Sequence, residues 1–169
     1  MQYRLATYTD LPVLNKILSN VVEHMHQNNI RIWNEFYPAE ELENDIANHH
    51  LYVIVLEEQI VSVFGIYDNI SSQNNFKWKD AKGKALYFGR FFVNTNFLKN
   101  GIGTRTLAIA QDISKRKKAA YLRLLVSDEN TPAINLYVKN NFKKVEGIYV
   151  EFSEGLNKNI TEFGFEKEI

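Results

Sequence analysis

The stretch Phe91-Phe92-Val93-Asn94-Thr95-Asn96-Phe97-Leu98-Lys99-Asn100-Gly101-Ile102-Gly103-Thr104-Arg105 reads as the end of a strand, a short loop, and a helix entered through Gly-x-Gly. Glycine permits positive φ and close backbone approach. The unpaired N–H groups of a helix start, together with the macrodipole, favour an anion. Lys99 and Arg105 add positive charge nearby. The stretch is therefore a candidate pyrophosphate cradle, although taken alone it is equally a tight turn that binds nothing. Two rival phosphate motifs fit poorly. A nucleotide P-loop needs Gly-Lys-[Ser/Thr], but Gly103 is followed by Thr104-Arg105. A dinucleotide fingerprint needs a third Gly where Thr106 stands.

Working outward, the spacing predicts a strand over Ala85 to Val93 before the loop, and a helix from Gly101 to about Lys117 after it. A strand follows over Tyr121 to Val126, then a helix over Asn130 to Asn140. Phe142 to Phe152 and Ile160 to Glu166 close the chain as two strands around a Gly155-Leu156-Asn157 turn. Upstream, Tyr3 to Thr7 alternates like a strand. Leu11, Leu14, Ile17, Leu18, Val21, Val22 and Met25 mark an amphipathic helix that starts at Thr9-Asp10-Leu11-Pro12 and runs to about Gln27. A second, acidic helix spans Glu40 to Asn48. Leu51 to Leu56 and Ile60 to Tyr67 form a hairpin. Asp68 to Lys84 is a long polar loop, of a length often functional in compact domains. The expected fold is single-domain α/β over residues 1–169, a mixed sheet of about seven strands flanked by about four helices. The strand–helix–strand crossover requires a parallel pair, and the hairpin an antiparallel one.

Composition narrows the function. The 169 residues suit one domain with its own core, and no internal repeat or linker divides them. Lys plus Arg and Asp plus Glu are 20 each, so a nucleic-acid-coating surface is not expected. With no cysteine, a disulfide scaffold, a thiolate zinc site and a cysteine nucleophile are excluded. His24 and His26, two apart, share no helical face, and no metal is expected. Without an apolar segment long enough for a signal core or membrane span, a cytoplasmic protein is the expectation.

A second constellation lies about 30 residues after the first: Asn130-Thr131-Pro132-Ala133-Ile134-Asn135-Leu136-Tyr137-Val138-Lys139-Asn140-Asn141-Phe142. Pro132 suits the first helical position, making Thr131 the expected N-cap and leaving the Asn130 amide free for a ligand. Ala133 and Tyr137 share a face, and the small Ala leaves room beside the hydroxyl. Read alone, Tyr137 is first a packing residue and only second an acid.

Together, in this order and spacing, the two constellations resemble the GNAT family of N-acetyltransferases. The first resembles that family's acetyl-CoA pyrophosphate loop (Gln or Arg, two residues, Gly, any residue, Gly or Ala), and the second its Asn-x-x-Ala-x-x-x-Tyr helix ending in Gly-Phe. The similarity is closest from Ala85 to Val145. Two positions depart from the pattern: Leu98 stands where Gln or Arg is usual, and Asn141 where Gly is usual. The resemblance implies acetyl transfer from acetyl-CoA to a primary amine by direct attack. Acetyl-CoA would lie in a gap between the strands ending at Val93 and Val126. Phe91, Phe92 and Val93 would pair with the pantetheine arm, and the Val93 N–H would stabilise the oxyanion. Lys99, Asn100, Gly101, Ile102, Gly103 and Thr104 would hold the pyrophosphate. Asn130 and Ala133 would line the pantetheine path, and Tyr137 would protonate the departing thiolate.

Many family members carry a Glu on the strand before the loop, but Ala85 to Val93 has no carboxylate. Glu151, Glu35 or a water chain is left as the base. Alternation puts Tyr87, Gly89, Phe91 and Val93 on one face and Arg90 on the other, where Arg90 forms a structural ion pair or orients an acceptor carboxylate. Trp33, Phe36, Tyr37 and the Phe76/Trp78 loop either wall an acceptor pocket or cover the sheet. Glu40, Glu41, Glu43 and Asp45 are a solvated helix face or an attraction for a polyamine-like cation. The alternative function is a non-catalytic acyl-CoA-binding or sensor domain of the same fold. Exposed C-terminal strands could pair two copies as a homodimer.

Overall fold

A computed structural model describes residues 1–169. The strands are β1 (Gln2–Leu5), β2 (Leu51–Leu56), β3 (Gln59–Tyr67), β4 (Phe76–Lys77), β5 (Ala85–Val93), β6 (Tyr121–Ser127), β7 (Lys143–Ser153) and β8 (Lys158–Glu168). The helices are α1 (Leu11–Gln27), α2 (Leu42–Ala47), α3 (Ile102–Arg116) and α4 (Thr131–Lys139). They form one eight-stranded sheet of order β1-β2-β3-β5-β6-β8-β7-β4. Only β5 and β6 pair in parallel, across the α3 crossover. The strand beyond the expected seven is β4. Its two residues, inside the predicted loop, are too few to show a period, and they pair with β7 at Glu146 and Gly147. No helix is long and apolar enough to cross a membrane.

The period-two pattern sorts side chains onto two faces. On one, Phe64, Ile66, Leu86, Phe88, Leu122 and Leu124 pack beneath Leu107, Ala110 and Ile113 of α3 and Tyr137 of α4. On the other, Leu51, Val53, Val63 and Phe92 meet Leu14, Leu18 and Val21 of α1 and Leu42 and Ile46 of α2. Burying one such Leu or Phe stabilises the fold by about 1.5–3 kcal/mol. The β2–β3 hairpin turns through Glu57 and Glu58, with φ of 48° and 65°. That pair of left-handed residues matches the right-handed twist of the strands it joins. In front of α1, Asp10 accepts from Arg4 at 2.7 and 2.8 Å. The Arg4 hydrogen bond outweighs partial burial and holds the Asp10 carboxyl down at about 2.

The long segment after β3 is folded onto the sheet. It contains a 3-10 turn (Ser71–Asn75) and β4. Its anchor is a buried ion pair, Arg123 Nε to Glu166 Oε2 at 3.3 Å, with the two side chains 3% and 8% exposed. Arg123 also donates to the Asp80 carbonyl at 2.6 Å and stacks 4.7 Å over the Trp78 ring. The Lys79 N–H donates to Glu166 Oε1 at 2.7 Å. Both members thus find partners for their remaining hydrogen-bonding groups, the condition under which a buried pair is tolerated. Trp78 and Phe76 pack on each other here, 5.3 Å between ring centres. They wall no acceptor pocket, because the loop follows the ion pair and lays both rings on the sheet.

Arg123→Ala leaves Glu166 buried without its cation and should lower unfolding free energy by about 3–5 kcal/mol in urea denaturation. A loss below about 1 kcal/mol would show that the loop is held mainly by its aromatic contacts.

Candidate active site

The central gap comes from a register change in β5. Gly65 pairs with Gly89, but Val63 pairs with Phe92, so β5 carries one residue more than β3 over the same span. The extra residue is at Arg90, whose φ is 46°. Such a bulge bends its strand. Consistent with that, β5 pairs with β6 only from Ala85–Tyr121 to Phe88–Leu124. Beyond Leu124, β6 continues alongside β8 to Ser127 without β5. The expected V-shaped gap between Val93 and Val126 is therefore present. Simple alternation along β5 is overturned. After the bulge, Phe92 joins Tyr87 and Gly89 on the α1–α2 face, against Trp33. Phe91 and Val93 lie with Phe88 on the α3–α4 face.

The direction of the Val93 amide follows from the ladder. Asn94 N–H donates to the Val61 carbonyl at 3.0 Å. Val61–Asn94 is thus a hydrogen-bonded antiparallel position, and Ser62–Val93 beside it a non-bonded one. The Val93 N–H turns away from β3, toward the space β6 has left. A buried chain fixes this corner: Thr106 Oγ1 donates to Ser62 Oγ at 2.9 Å, and Ser62 donates to the Phe92 carbonyl at 3.3 Å. Thr106 occupies the place a dinucleotide motif would give to glycine.

The loop after β5 leaves a run of backbone amides unused. None of the N–H groups from Lys99 to Thr104 donates to a protein acceptor, and the first bond of α3 is Arg105 N–H to the Gly101 carbonyl at 3.1 Å. Six successive donors at a helix N-terminus form an anion-binding concavity. Left-handed turns at Lys99 (φ 64°) and Gly101 (φ 73°) shape it. A Cβ at Gly101 would meet nothing within 4 Å, so glycine serves its backbone angle there. A Cβ at Gly103 would come within 2.9 Å of Leu136, so glycine there lets α3 approach α4. Leu98 is 37% exposed at the rim.

At α4 the cap differs from the expected one. Asn130, not Thr131, is the N-cap, and its Oδ1 accepts from the Ala133 N–H at 3.3 Å. Asparagine is the stronger cap, and its carbonyl oxygen is therefore committed to the helix; the Nδ2 remains. Tyr137 is 5% exposed and packs edge-on to Phe88 and at angles to Phe142 and Phe165. Its hydroxyl has no protein partner yet is not sealed off, so it opens onto the cleft. Burial pushes its pKa up, keeping the phenol protonated near neutral pH.

A continuous cleft of about 1350 Å³ runs through the gap from one sheet face to the other. Every residue that the family resemblance assigns to the cosubstrate or to the leaving thiolate borders it except Asn100. On the α1–α2 side Trp33, Phe36 and Tyr37 border it, as do Arg90 and Glu151, whereas Glu35 does not. Arg90 is a structural ion-pair residue: Nε donates to Asp45 at 3.0 Å, one terminal nitrogen to Tyr37 Oη at 2.6 Å and the other to Glu41 at 3.5 Å. Asp45, 2% exposed, also accepts from Tyr67 Oη at 2.8 Å. Buried in a partnered network, Asp45 is no part of a solvated acidic face.

The residue missed from the sequence is Glu162. It is opposite Tyr149 on β7 and Ser127 on β6, and it borders the cleft. Burial, reinforced by Glu151 and opposed by Arg90, raises its pKa to about 7. The signal available was a carboxylate flanked by Ile160, Phe163 and Phe165 in the closing strand.

A family profile described as the acetyltransferase (GNAT) family matches residues 18–142. The chain belongs to that family, whose class is the acetyl-CoA-dependent N-acetyltransferases. Similar solved structures carry the same fold. A GNAT-family acetyltransferase from Streptococcus agalactiae superposes with a TM-score of 0.82 at 15% identity, covering 99% of this chain and 95% of that one. A ribosomal-protein-alanine N-acetyltransferase from Brucella melitensis gives 0.69 at 18% identity, with 100% of both chains covered. A PaiA N-acetyltransferase from Thermoplasma acidophilum, in complex with coenzyme A, gives 0.67 at 20% identity, covering 99% and 98%. No curated protein matches by sequence.

Gly101→Ala should cost only about 1–2 kcal/mol of stability, the strain of a left-handed non-glycine residue in open space. It should weaken coenzyme A binding at least about tenfold by calorimetry. Unchanged affinity would remove the loop from the pyrophosphate site.

Proposed function

We propose that this protein transfers the acetyl group of acetyl-CoA to a primary amine by direct attack, with no covalent enzyme intermediate. What carries the reading is the convergence on one cleft of an unpaired strand amide at Val93, a run of unpaired amides from Lys99 to Thr104, and the open hydroxyl of Tyr137. In this reading the backbone of Phe91, Phe92 and Val93 receives the pantetheine arm as an added strand in the gap beside β5. The Val93 N–H faces the developing oxyanion. A preorganised donor of this kind supplies about 3–4 kcal/mol of transition-state stabilisation. The amides of Lys99, Asn100, Gly101, Ile102, Gly103 and Thr104, with the Lys99 ammonium, take the pyrophosphate. They substitute for the side-chain contact that Leu98 does not make.

Asn130 keeps its Nδ2 for the pantetheine arm while its oxygen caps α4. Ala133, one turn before Tyr137, leaves the phenol open. Tyr137 protonates the departing thiolate as the C–S bond breaks. Burial raises the phenol's pKa, and the same desolvation raises the proton affinity of a thiolate leaving into the cleft, so the two stay matched. A paired arrangement of two copies along β7, where Ile148, Val150 and Phe152 are exposed, belongs to the same reading. Sedimentation at monomer mass would count against that part alone.

Melting with and without acetyl-CoA tests the reading, with ATP and NAD as controls. Native-state binding adds about 2.7 kcal/mol at a hundredfold excess over Kd, so acetyl-CoA alone should raise Tm. Equal shifts with the controls, or none, would contradict it. Tyr137→Phe should lower turnover about 100-fold or more while keeping coenzyme A affinity within about twofold. Collapse of affinity would make Tyr137 a packing residue, and unchanged turnover would remove its acid role.

A further inference from the structure

Direct attack needs a neutral amine, and β5 offers no carboxylate to generate one. The closing strand does. Glu162 borders the cleft on the face opposite α3 and α4, at the level of Ser127, where β6 has already parted from β5. No side chain or backbone group donates to its carboxylate and no cation pairs with it, yet no oxygen is sealed from the cleft. Its position therefore leaves both oxygens to an incoming group. Glu151 stands diagonally across the β7–β8 ladder, since Glu162 is opposite Tyr149 and Glu151 is two residues on. Diagonal cross-strand neighbours are about 7–8 Å apart, a span that a short diamine bridges.

The cations of the cleft wall are committed elsewhere. Arg90 spends its guanidinium on Asp45, Glu41 and Tyr37. Lys99 and Lys139 border the pyrophosphate end, where Asn140 of the α4 terminus reaches Thr104 of α3. Glu40 and Glu154 border the acceptor half and add negative charge. Among the Arg and Lys side chains of the wall an acceptor carboxylate would find no free partner in that half, where the His24 imidazole also borders the cleft, whereas an ammonium would find two carboxylates.

We propose that Glu162 is the catalytic base of this enzyme, and that it acts on an acceptor that enters as an ammonium without a carboxylate, a short diamine being the fitting class. The proposal rests on the acetyl-transfer reading above. Glu162 takes one proton from the ammonium and passes it to solvent. The amine nitrogen bonds to the thioester carbonyl carbon, and the C–S bond breaks. The second nitrogen proton is balanced by the one that Tyr137 gives to sulfur. One ammonium and one thioester thus yield one amide, one thiol and one released proton. The groups facing Glu162 are Glu151 and Tyr149 of β7, Arg90 of β5, and Tyr37. Burial and Glu151 outweigh Arg90 and set Glu162 at about 7, the range a general base needs.

The test is thiol release at saturating acetyl-CoA with 1,4-diaminobutane and, as its matched carboxylate, 4-aminobutanoate. The diamine should be preferred at least about tenfold in kcat/KM. The wild-type profile should rise with pH, break near 7 and stay level toward the amine's own pKa of about 10. E162Q should lose about 100-fold at pH 7.5 and climb without that break toward about 10. E162D should keep the break and part of the rate, and both variants should keep the wild-type Tm shift with acetyl-CoA. E162Q within about threefold of wild type, a retained break, preference for 4-aminobutanoate, or no thiol release with either amine from a chain that binds acetyl-CoA would each overturn the proposal. A chain that does not bind acetyl-CoA fails the acetyl-transfer reading first, and this one with it.

Discussion

Arg90 has the backbone angle that opens the sheet, and its side chain holds that angle in place. A φ of 46° is unfavourable for a non-glycine residue. Strain of this kind costs about 1–3 kcal/mol and persists only where the surroundings over-determine it. Here Asp45, Tyr37 and Glu41 accept from all three guanidinium nitrogens, and Tyr67 holds Asp45 from the other side. The bulge bends β5 away from β6 halfway along, while β6 stays paired with β8. A parallel ladder continued along β5 and β6 would instead leave no gap and pair the amide at Val93.

What the bend leaves behind is a hydrogen-bonding deficit, and the deficit is chemically useful. Buried backbone groups are nearly always paired. The Val93 N–H faces away from its antiparallel partner, and the amides from Lys99 to Thr104 donate to nothing in the protein. These groups are fixed by rigid elements on both sides, by the Thr106–Ser62 chain beneath and by the Gly103–Leu136 contact between α3 and α4. A ligand that brings acceptors therefore pays little reorganisation. Tyr137 adds a protonated hydroxyl, held in that state by the aromatic shell around it.

Much of this was legible in the sequence, for identifiable reasons. The Gly-x-Gly entry to α3, the Asn130-to-Tyr137 spacing and the strand and helix periods are local signals, and together they carried the family resemblance. The bulge was not legible. Phe91-Phe92-Val93 reads as uninterrupted strand, and the positive φ of Arg90 goes with side-chain contacts to Asp45, Tyr37 and Glu41 rather than with a glycine. The N-cap moved from Thr131 to Asn130 because asparagine is the better cap and Pro132 tolerates the second helical position. Phe76 and Trp78 left the acceptor side because Arg123 and Glu166, far apart in sequence, draw their loop onto the sheet. Glu162 escaped notice because its role depends on Tyr149, Ser127 and Glu151 from neighbouring strands.

The most direct measurement is a titration of uniformly 15N-labelled protein with coenzyme A, followed by amide resonances. The account predicts large shifts at Val93 and from Lys99 to Thr104, where new acceptors meet unpaired N–H groups, and small ones along β1 and α1. Shifts absent from those seven amides, or concentrated elsewhere, would contradict the claim that the unpaired backbone at the β5 gap is what binds the cosubstrate.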